Sequence, residues 1–346
     1  MRWVAAIAAV VAVVGVITGV SLATHPPASR ETLRGMPPYY VVVQDGEGGN
    51  PVSTAVVRDS VTGRVLARVR FSWRPGGAQS ITAAADDRTF LINEGNALLL
   101  LRLAADGLSG RISRLPITVP ESVNYVALSP RGNMIAIESQ TCRGTVSQCQ
   151  YSEIRVVSLR TDASRTWHTS TPGQAPLWIS WDGNGHVLFS WVPAHPGPSR
   201  PSGYRLLDVT GRGGNLLSAG TLRLPSLPVL TGYSIPESAF ITPDGRAVIG
   251  STLTASGSGQ TPAVDMKIVE WSLRSGRPLR VLLAGRERPT LPPASEMCWV
   301  FSLGSTGLHA LIECPYPKFV FGRWDDGRFT RLPGMNAISG PIPAAW

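Results

Sequence analysis

A chain of 346 residues with 43% hydrophobic and only 16% charged residues is too apolar to stay disordered and long enough to bury a large core. Its 36 Gly and 29 Pro interrupt it too often for a helical bundle or a multi-span membrane protein, and suit many short strands joined by tight turns. The formal charge of +9 is almost all Arg, with Lys only at Lys267 and Lys318. Without a dense basic run it gives no support for nucleic acid as a partner, and the Arg-for-Lys bias fits a GC-rich genome.

Residues 4–23 form an almost unbroken apolar stretch, long enough as a helix to match the hydrocarbon core of a bilayer. Arg2 flanks it, so the positive-inside bias keeps residues 1–3 as a cytoplasmic stub and sends the rest across. The stretch exceeds the usual apolar region of a signal peptide, which predicts a retained single-pass anchor in the cell membrane. Cleavage near Ala23, after the small-x-small pattern Ser21-Leu22-Ala23, is the alternative and would release a secreted protein. Export holds either way. Residues 24–38, with His25-Pro26-Pro27 and Met36-Pro37-Pro38, read as a Pro-rich linker spanning at most about 50 Å.

From residue 39 onward two signatures alternate. In the first, a polar turn feeds an apolar run: Ala85–Ile92 in shortened form, Ser129–Ile137, Trp181–Phe189, Thr242–Ile249 and Leu303–Ala310. In the second, apolar strands flank a turn with Gly or Asp: Val56–Leu66, Leu100–Gly107, Val156–Asp162, Leu206–Gly211, Val269–Gly276 and Phe321–Gly327. Both are hairpin chemistry. A recurring unit of this size suits a four-stranded propeller blade with loop insertions. The prediction is an all-β propeller over 39–346 with six four-stranded blades, seven being the alternative. The first unit passes from Tyr39–Val43 straight to its outer strands and lacks an innermost strand. The C-terminal residues 337–346 are predicted to supply it and close the ring.

The turns Thr242-Pro243-Asp244-Gly245 and Ser129-Pro130-Arg131-Gly132 resemble the Ser-Pro-Asp-Gly-type turns of the WD-repeat-like and TolB-like β-propeller family. The resemblance covers roughly residues 39–346. The Gly-His and Trp-Asp dipeptides of WD repeats in the narrow sense are not in register. The resemblance implies the fold and a tendency to bind proteins or polymers, and it brings no shared catalytic residues.

The four cysteines fall as two local pairs, Cys142 with Cys149 and Cys298 with Cys314. An even count in an exported chain reads as disulfides. Three connectivities are possible, of which the local one fits two hairpins. The spacing does not suit zinc, and no metal or cofactor is expected.

Three long irregular segments, 140–150, 192–203 and 254–263, fall between second and third strands, on the face shared with the blade-to-blade connections. Long loops on a rigid scaffold concentrate binding. They are predicted to form a partner-binding face, with Arg143, Gln148, His195, Arg200, Ser256 and Gln260 as candidate contact residues. The tryptophans, with Trp178, Trp181 and Trp191 in one unit, read as packing between blades, with a sugar platform as the rival.

Catalytic motifs are missing: no Gly-x-Ser-x-Gly elbow, no Walker loop, no His-Glu-x-x-His. Asp86-Asp87 and Asp325-Asp326 read as turn residues. The inner-strand candidates Val126–Leu128, Trp178–Ser180, Ala239–Ile241 and Val300–Ser302 contain no acid. The sequence therefore points to a monomeric, non-catalytic, extracytoplasmic binding or scaffold protein, tethered to the membrane by one helix, with an unknown protein or cell-envelope polymer as partner. The alternative is an extracytoplasmic hydrolase or lactonase with its site in the central channel.

Overall fold

Runs such as Leu98–Leu103 and Val123–Leu128 are rich in β-formers and too short for helices, and Gly, Asp and Asn turns bound them. Their apolar character is nearly continuous because both faces of a blade strand are buried against neighbouring blades. The computed structural model describes residues 36–44, 52–72, 79–95, 97–120, 123–142, 149–169, 174–193, 203–221, 238–256, 263–287, 298–307, 309–314, 320–325, 328–335 and 344–346. The predicted stub, anchor and most of the linker lie outside these residues. Among the described residues no helix is long and apolar enough to cross a membrane.

The strands form six antiparallel sheets, each running from the axis outward. Blade 1 is β25 (Ala344–Ala345), β1 (Tyr39–Gln44), β2 (Val52–Asp59) and β3 (Val65–Ser72). Blade 2 is β4 (Ser80–Ala83), β5 (Thr89–Asn93), β6 (Leu98–Leu103) and β7 (Gly110–Arg114). Blade 3 is β8 (Val123–Leu128), β9 (Met134–Cys142), β10 (Cys149–Ser158) and β11 (Ser164–Thr169). Blade 4 is β12 (Gln174–Trp181), β13 (His186–Pro193), β14 (Gly203–Asp208) and β16 (Gly220–Thr221). Blade 5 is β17 (Ala239–Ile241), β18 (Ala247–Ser256), β19 (Ala263–Ser272) and β20 (Pro278–Glu287). Blade 6 is β21 (Trp299–Leu303), β22 (His309–Cys314), β23 (Val320–Asp325) and β24 (Arg328–Arg331).

The six innermost strands touch in a closed cycle, β25 to β4 to β8 to β12 to β17 to β21 and back to β25. This is a six-bladed propeller. Six apolar clusters fill the six junctions between neighbouring blades. The ring closes as the sequence suggests: Val41 pairs with Ala345 and Val42 with Ala344. Trp346 is buried, and its carbonyl accepts a hydrogen bond from Ser302 Oγ of blade 6 at 3.3 Å.

One element has no counterpart in the sequence reading. β15 (Gly214–Asn215) pairs in parallel with β11, Trp167 opposite Gly214, and adds a fifth strand to blade 3. Gly213 leads into it at φ +88°, where a Cβ would stand 2.6 Å from the Thr166 carbonyl oxygen, so the approach needs glycine.

Candidate functional site

Antiparallel connectivity divides the ring into two faces. Turns between first and second strands, and between third and outermost strands, share one face. Second-to-third loops and blade-to-blade connections share the other.

On the first face, five turns form a collar. Each closes with a backbone hydrogen bond, as from Ser129 N to Met134 O at 2.9 Å and Thr242 N to Ala247 O at 2.9 Å. The fourth residue of each turn is left-handed: Gly132, Gly185, Gly245 and Gly307, with Asp87 in blade 2 at φ 54°. Carboxylates hold the turns. Asp86 Oδ1 accepts from the Arg88 and Thr89 amides at 2.9 and 2.8 Å, and Asp244 Oδ1 accepts from the Thr242 hydroxyl at 2.7 Å. The Thr242 hydroxyl bond and the Arg246 amide lower the Asp244 pKa. For Asp86, burial pushes upward, but the Arg88 and Thr89 hydrogen bonds outweigh it and the net pKa is lowered. Neighbouring turns interlock: a Cβ on Gly183 would meet the Pro243 carbonyl oxygen at 2.8 Å. Blade 1 has no such turn, because its innermost strand comes from the C-terminus. Pro37 packs on Gly304 instead, so the chain enters the propeller on the collar side.

Inside the collar lies a cavity of about 200 Å³ around the axis, lined by innermost strands and turns including Ala127, Ile179, Phe240, Ile241 and Phe301. Among the described residues, none that lines it is ionisable. Its hydroxyls are engaged in stitching adjacent blades: Thr82 Oγ1 accepts from Leu128 N at 3.1 Å, and Ser180 Oγ donates to the Ala239 carbonyl at 2.9 Å. Such walls suit packing or an apolar guest, and offer no side chain for acid–base chemistry.

The three predicted loops leave blades 3, 4 and 5, which are consecutive in the ring, from the opposite face. Arg143, Gln148, His195, Arg200 and Gln260 lie outside the described residues. Ser256 ends β18 opposite Ala263, and its side chain too is outside them. Cys142 and Cys149 face each other as Cα partners at the ends of β9 and β10; their side chains also lie outside the described residues. Cys298 and Cys314 form the expected disulfide, joining the start of β21 to the end of β22.

On β9, β10 and β11 sits a polar cluster that the sequence did not single out. Ser139 Oγ donates to Glu153 Oε1 at 3.1 Å, and Tyr151 OH donates to Glu153 Oε2 at 2.9 Å. Burial, then the Glu153 hydrogen bond and charge, push the Tyr151 pKa up to about 12. Its ring stacks on His168 at 5.8 Å. At the junction of blades 3 and 4, buried Glu138 and Gln140 are joined by a 2.7 Å hydrogen bond, and Gln140 Nε2 also donates to the Pro176 carbonyl at 2.9 Å. Ser251 makes the equivalent contact two junctions further on, donating to the Cys298 carbonyl at 3.1 Å and binding blade 5 to blade 6. The signal for this belt is a polar residue after an apolar second-strand run: Asn93, Glu138, Ser190, Ser251 and Glu313, all buried.

The tryptophans divide as packing predicts, with one exception. Trp181, Trp191, Trp271 and Trp324 are buried. Trp178 is half-buried and leans on Tyr125, ring centroids 5.3 Å apart.

No protein-family model matches the chain, and no curated protein matches it. Among solved structures, the chain is similar to a putative TolB from Agrobacterium tumefaciens, with 17% identity and a TM-score of 0.45 over 78% of this chain and 83% of that one. It is also similar to the Cps50 (Swd1) β-propeller domain of Myceliophteria thermophila, with 13% identity and a TM-score of 0.40 over 88% and 86%. Oligogalacturonate lyase from Vibrio parahaemolyticus is similar at 12% identity and a TM-score of 0.46, over 86% and 74%.

Proposed function

We propose that this chain is a non-catalytic binding module, held on the outer side of the cytoplasmic membrane by residues 4–23, that presents the loops of blades 3, 4 and 5 to a protein or cell-envelope polymer. The observation that carries this reading is the asymmetry of the two faces. The collar's interlocked turns ring a cavity whose described lining carries no ionisable group. The opposite face sends the second-to-third connections of three consecutive blades, 143–148, 194–202 and 257–262, and β10 and β11 carry Glu153, Tyr151 and His168. A large ordered scaffold carrying loops on one face is the arrangement in which loops define a partner.

The test replaces 143–148, 194–202 and 257–262 in turn with short Gly-containing hairpin turns and captures partners from detergent-solubilised membranes of the native host. The expected result is an intact thermal melt with loss of the captured species in at least one graft. Unchanged capture in all three grafts would reject the reading. The tether is checked separately: the full chain should resist carbonate extraction, and a chain starting at residue 36 should not.

A further inference from the structure

We propose that the axial cavity inside the collar is a binding site for a small neutral aromatic molecule of one ring. This site is separate from the three loops and stands whether or not they take a partner.

The first observation is room. The innermost strands and turns of blades 2 to 6 leave about 200 Å³ around the axis, and an apolar cavity of about 150 Å³ is enough to hold benzene. Small side chains make the space on one side: blade 2 lines it with Ala83, Ala84 and Ala85, and blade 3 with Ala127. Blade 1, whose innermost strand is only Ala344–Ala345, supplies none of the described lining. Unfilled space of this size forfeits dispersion contacts that a close-packed interior otherwise makes, so a guest of matching shape recovers them.

The second observation is the state of the polar groups in the wall. The lining holds the side chains of Thr82, Ser180, Trp181, Ser302 and Ser305, and each is already bonded within the protein. Thr82 Oγ1 accepts from the Leu128 amide at 3.1 Å, and Ser180 Oγ donates to the Ala239 carbonyl at 2.9 Å. Trp181 Nε1 donates to the Ala127 carbonyl at 2.9 Å. Ser302 Oγ donates to the Trp346 carbonyl and Ser305 Oγ to Asp87 Oδ2, both at 3.3 Å. Among the described residues, no side chain of the lining has a buried polar atom left without a partner. A water molecule needs roughly two to four polar partners to be held, so water here is readily displaced by an apolar group. A charged guest would shed its hydration without meeting an opposite charge. The wall therefore selects a neutral, apolar molecule.

The third observation is the shape of the far wall. Facing the alanines, blades 4, 5 and 6 contribute Trp181, Phe240 and Phe301. The bond to the Ala127 carbonyl, on the neighbouring blade, fixes the Trp181 ring, so it cannot swing inward and fill the space. Phe240 and Phe301 are half-buried, which leaves part of each ring to be covered. Aromatic pairs attract beyond the area they bury, and a flat ring fits between three rings and a floor of methyl groups. The volume limits the guest to one ring with a small substituent.

The experiment titrates the full chain with toluene, benzoate and N-methylindole by calorimetry, with titrations into buffer and detergent alone subtracted. The expected result is saturable binding of one toluene per chain with a Kd of about 1 mM or tighter, at least about tenfold tighter than benzoate. Ala83→Leu fills the cavity and should weaken toluene about tenfold or more. Phe240→Ala enlarges it and should admit the two-ring N-methylindole at least about tenfold more tightly than the parent does. The enlarging variant keeps the test valid if Ala83→Leu fails to fold. Absence of saturable toluene binding, equal affinity for benzoate, undiminished binding in a folded Ala83→Leu chain, or no gain for N-methylindole in Phe240→Ala would each overturn the proposal.

Discussion

At the collar neighbouring turns press on one another: Gly245 lies against the Asn184 side-chain amide and Gly183 against the Pro243 carbonyl, where a methyl would meet backbone that cannot swing aside. At the opposite mouth of the ring the junctions are tied by longer polar reaches, Gln140 to Pro176 and Ser251 to Cys298, and Trp178 is kept half-open in a conformation that costs energy. The same six sheets thus end in a face built from short-range turn chemistry and a face where buried polar groups tie neighbouring blades together. Turn closure and the polar ties between blades fall at different ends of the strands. A propeller permits this because successive strands deliver their connections alternately to the two faces.

The largest effect that can break the comparison lies where the two ends of the described chain meet. Removing Ala344–Trp346 deletes the innermost strand of blade 1, exposes the backbone of β1 and empties the site of a fully buried tryptophan. Loss of a buried aromatic alone costs about 3–5 kcal/mol, so the truncated chain should melt lower by about 10 °C or more. An unchanged melt would show that the collar holds the ring without its closing strand. Next comes the staple on the loop side. Reducing Cys298–Cys314, which closes a 16-residue separation, or replacing both residues by Ser, should cost about 3 kcal/mol, measured as the shift in denaturant midpoint. At the collar, Gly183→Ala should cost about 2 kcal/mol, because the added methyl meets backbone, which cannot swing aside. If Gly183→Ala is neutral in a chemical melt, the interlocking of turns contributes little and the contrast between faces weakens.

The parts legible in the sequence are those set by neighbours along the chain. The turns Ser129–Asn133 and Thr242–Arg246 announce hairpins through Pro, Asp and Gly at fixed offsets, and six such units predict six blades. Closure by the C-terminus followed from counting strands in the first unit, and the pairing of Cys298 with Cys314 from their places across one hairpin. What stayed hidden depends on which way a strand faces. In Met134–Gln140 both sides are buried, one on blade 2 and the other on blade 4, so alternation of apolar and polar residues cannot report orientation. Glu138 and Gln140 therefore read as interruptions, although they mark the junction that supports Trp178. The bulge at Trp178 has no local cause, since Leu177-Trp178-Ile179 is ordinary strand sequence. β15 escaped because Gly214–Asn215 is only two residues long and gains its partner, β11, from the next blade around the ring.

The smallest expected effect singles out one position where the collar breaks its own rule. Four of its five left-handed slots hold glycine and the fifth holds Asp87. Asp87 Oδ2 accepts a hydrogen bond from Ser305 Oγ at 3.3 Å, reaching from blade 2 to blade 6 across the place where blade 1 has no turn. Its Oδ1 is buried without a hydrogen-bond partner among the described residues. Burial, only partly offset by the Ser305 bond, pushes its pKa up to about 6 from an ordinary value of 3.8. The folded state then holds a proton that the unfolded chain has already released between those two values. Stability contributed by this group is full below pH 3.8, declines as pH rises towards about 6, and stays lost above it. Asp87→Asn keeps the left-handed preference and removes the buried charge. It should raise stability at pH 7.5 by about 1 kcal/mol, allowing for solvent screening, and leave it nearly unchanged at pH 3.5. Denaturant melts of parent and variant across that range decide the matter. A gain that is the same at both pH values would mean that the aspartate charge is not what the collar resists at this slot.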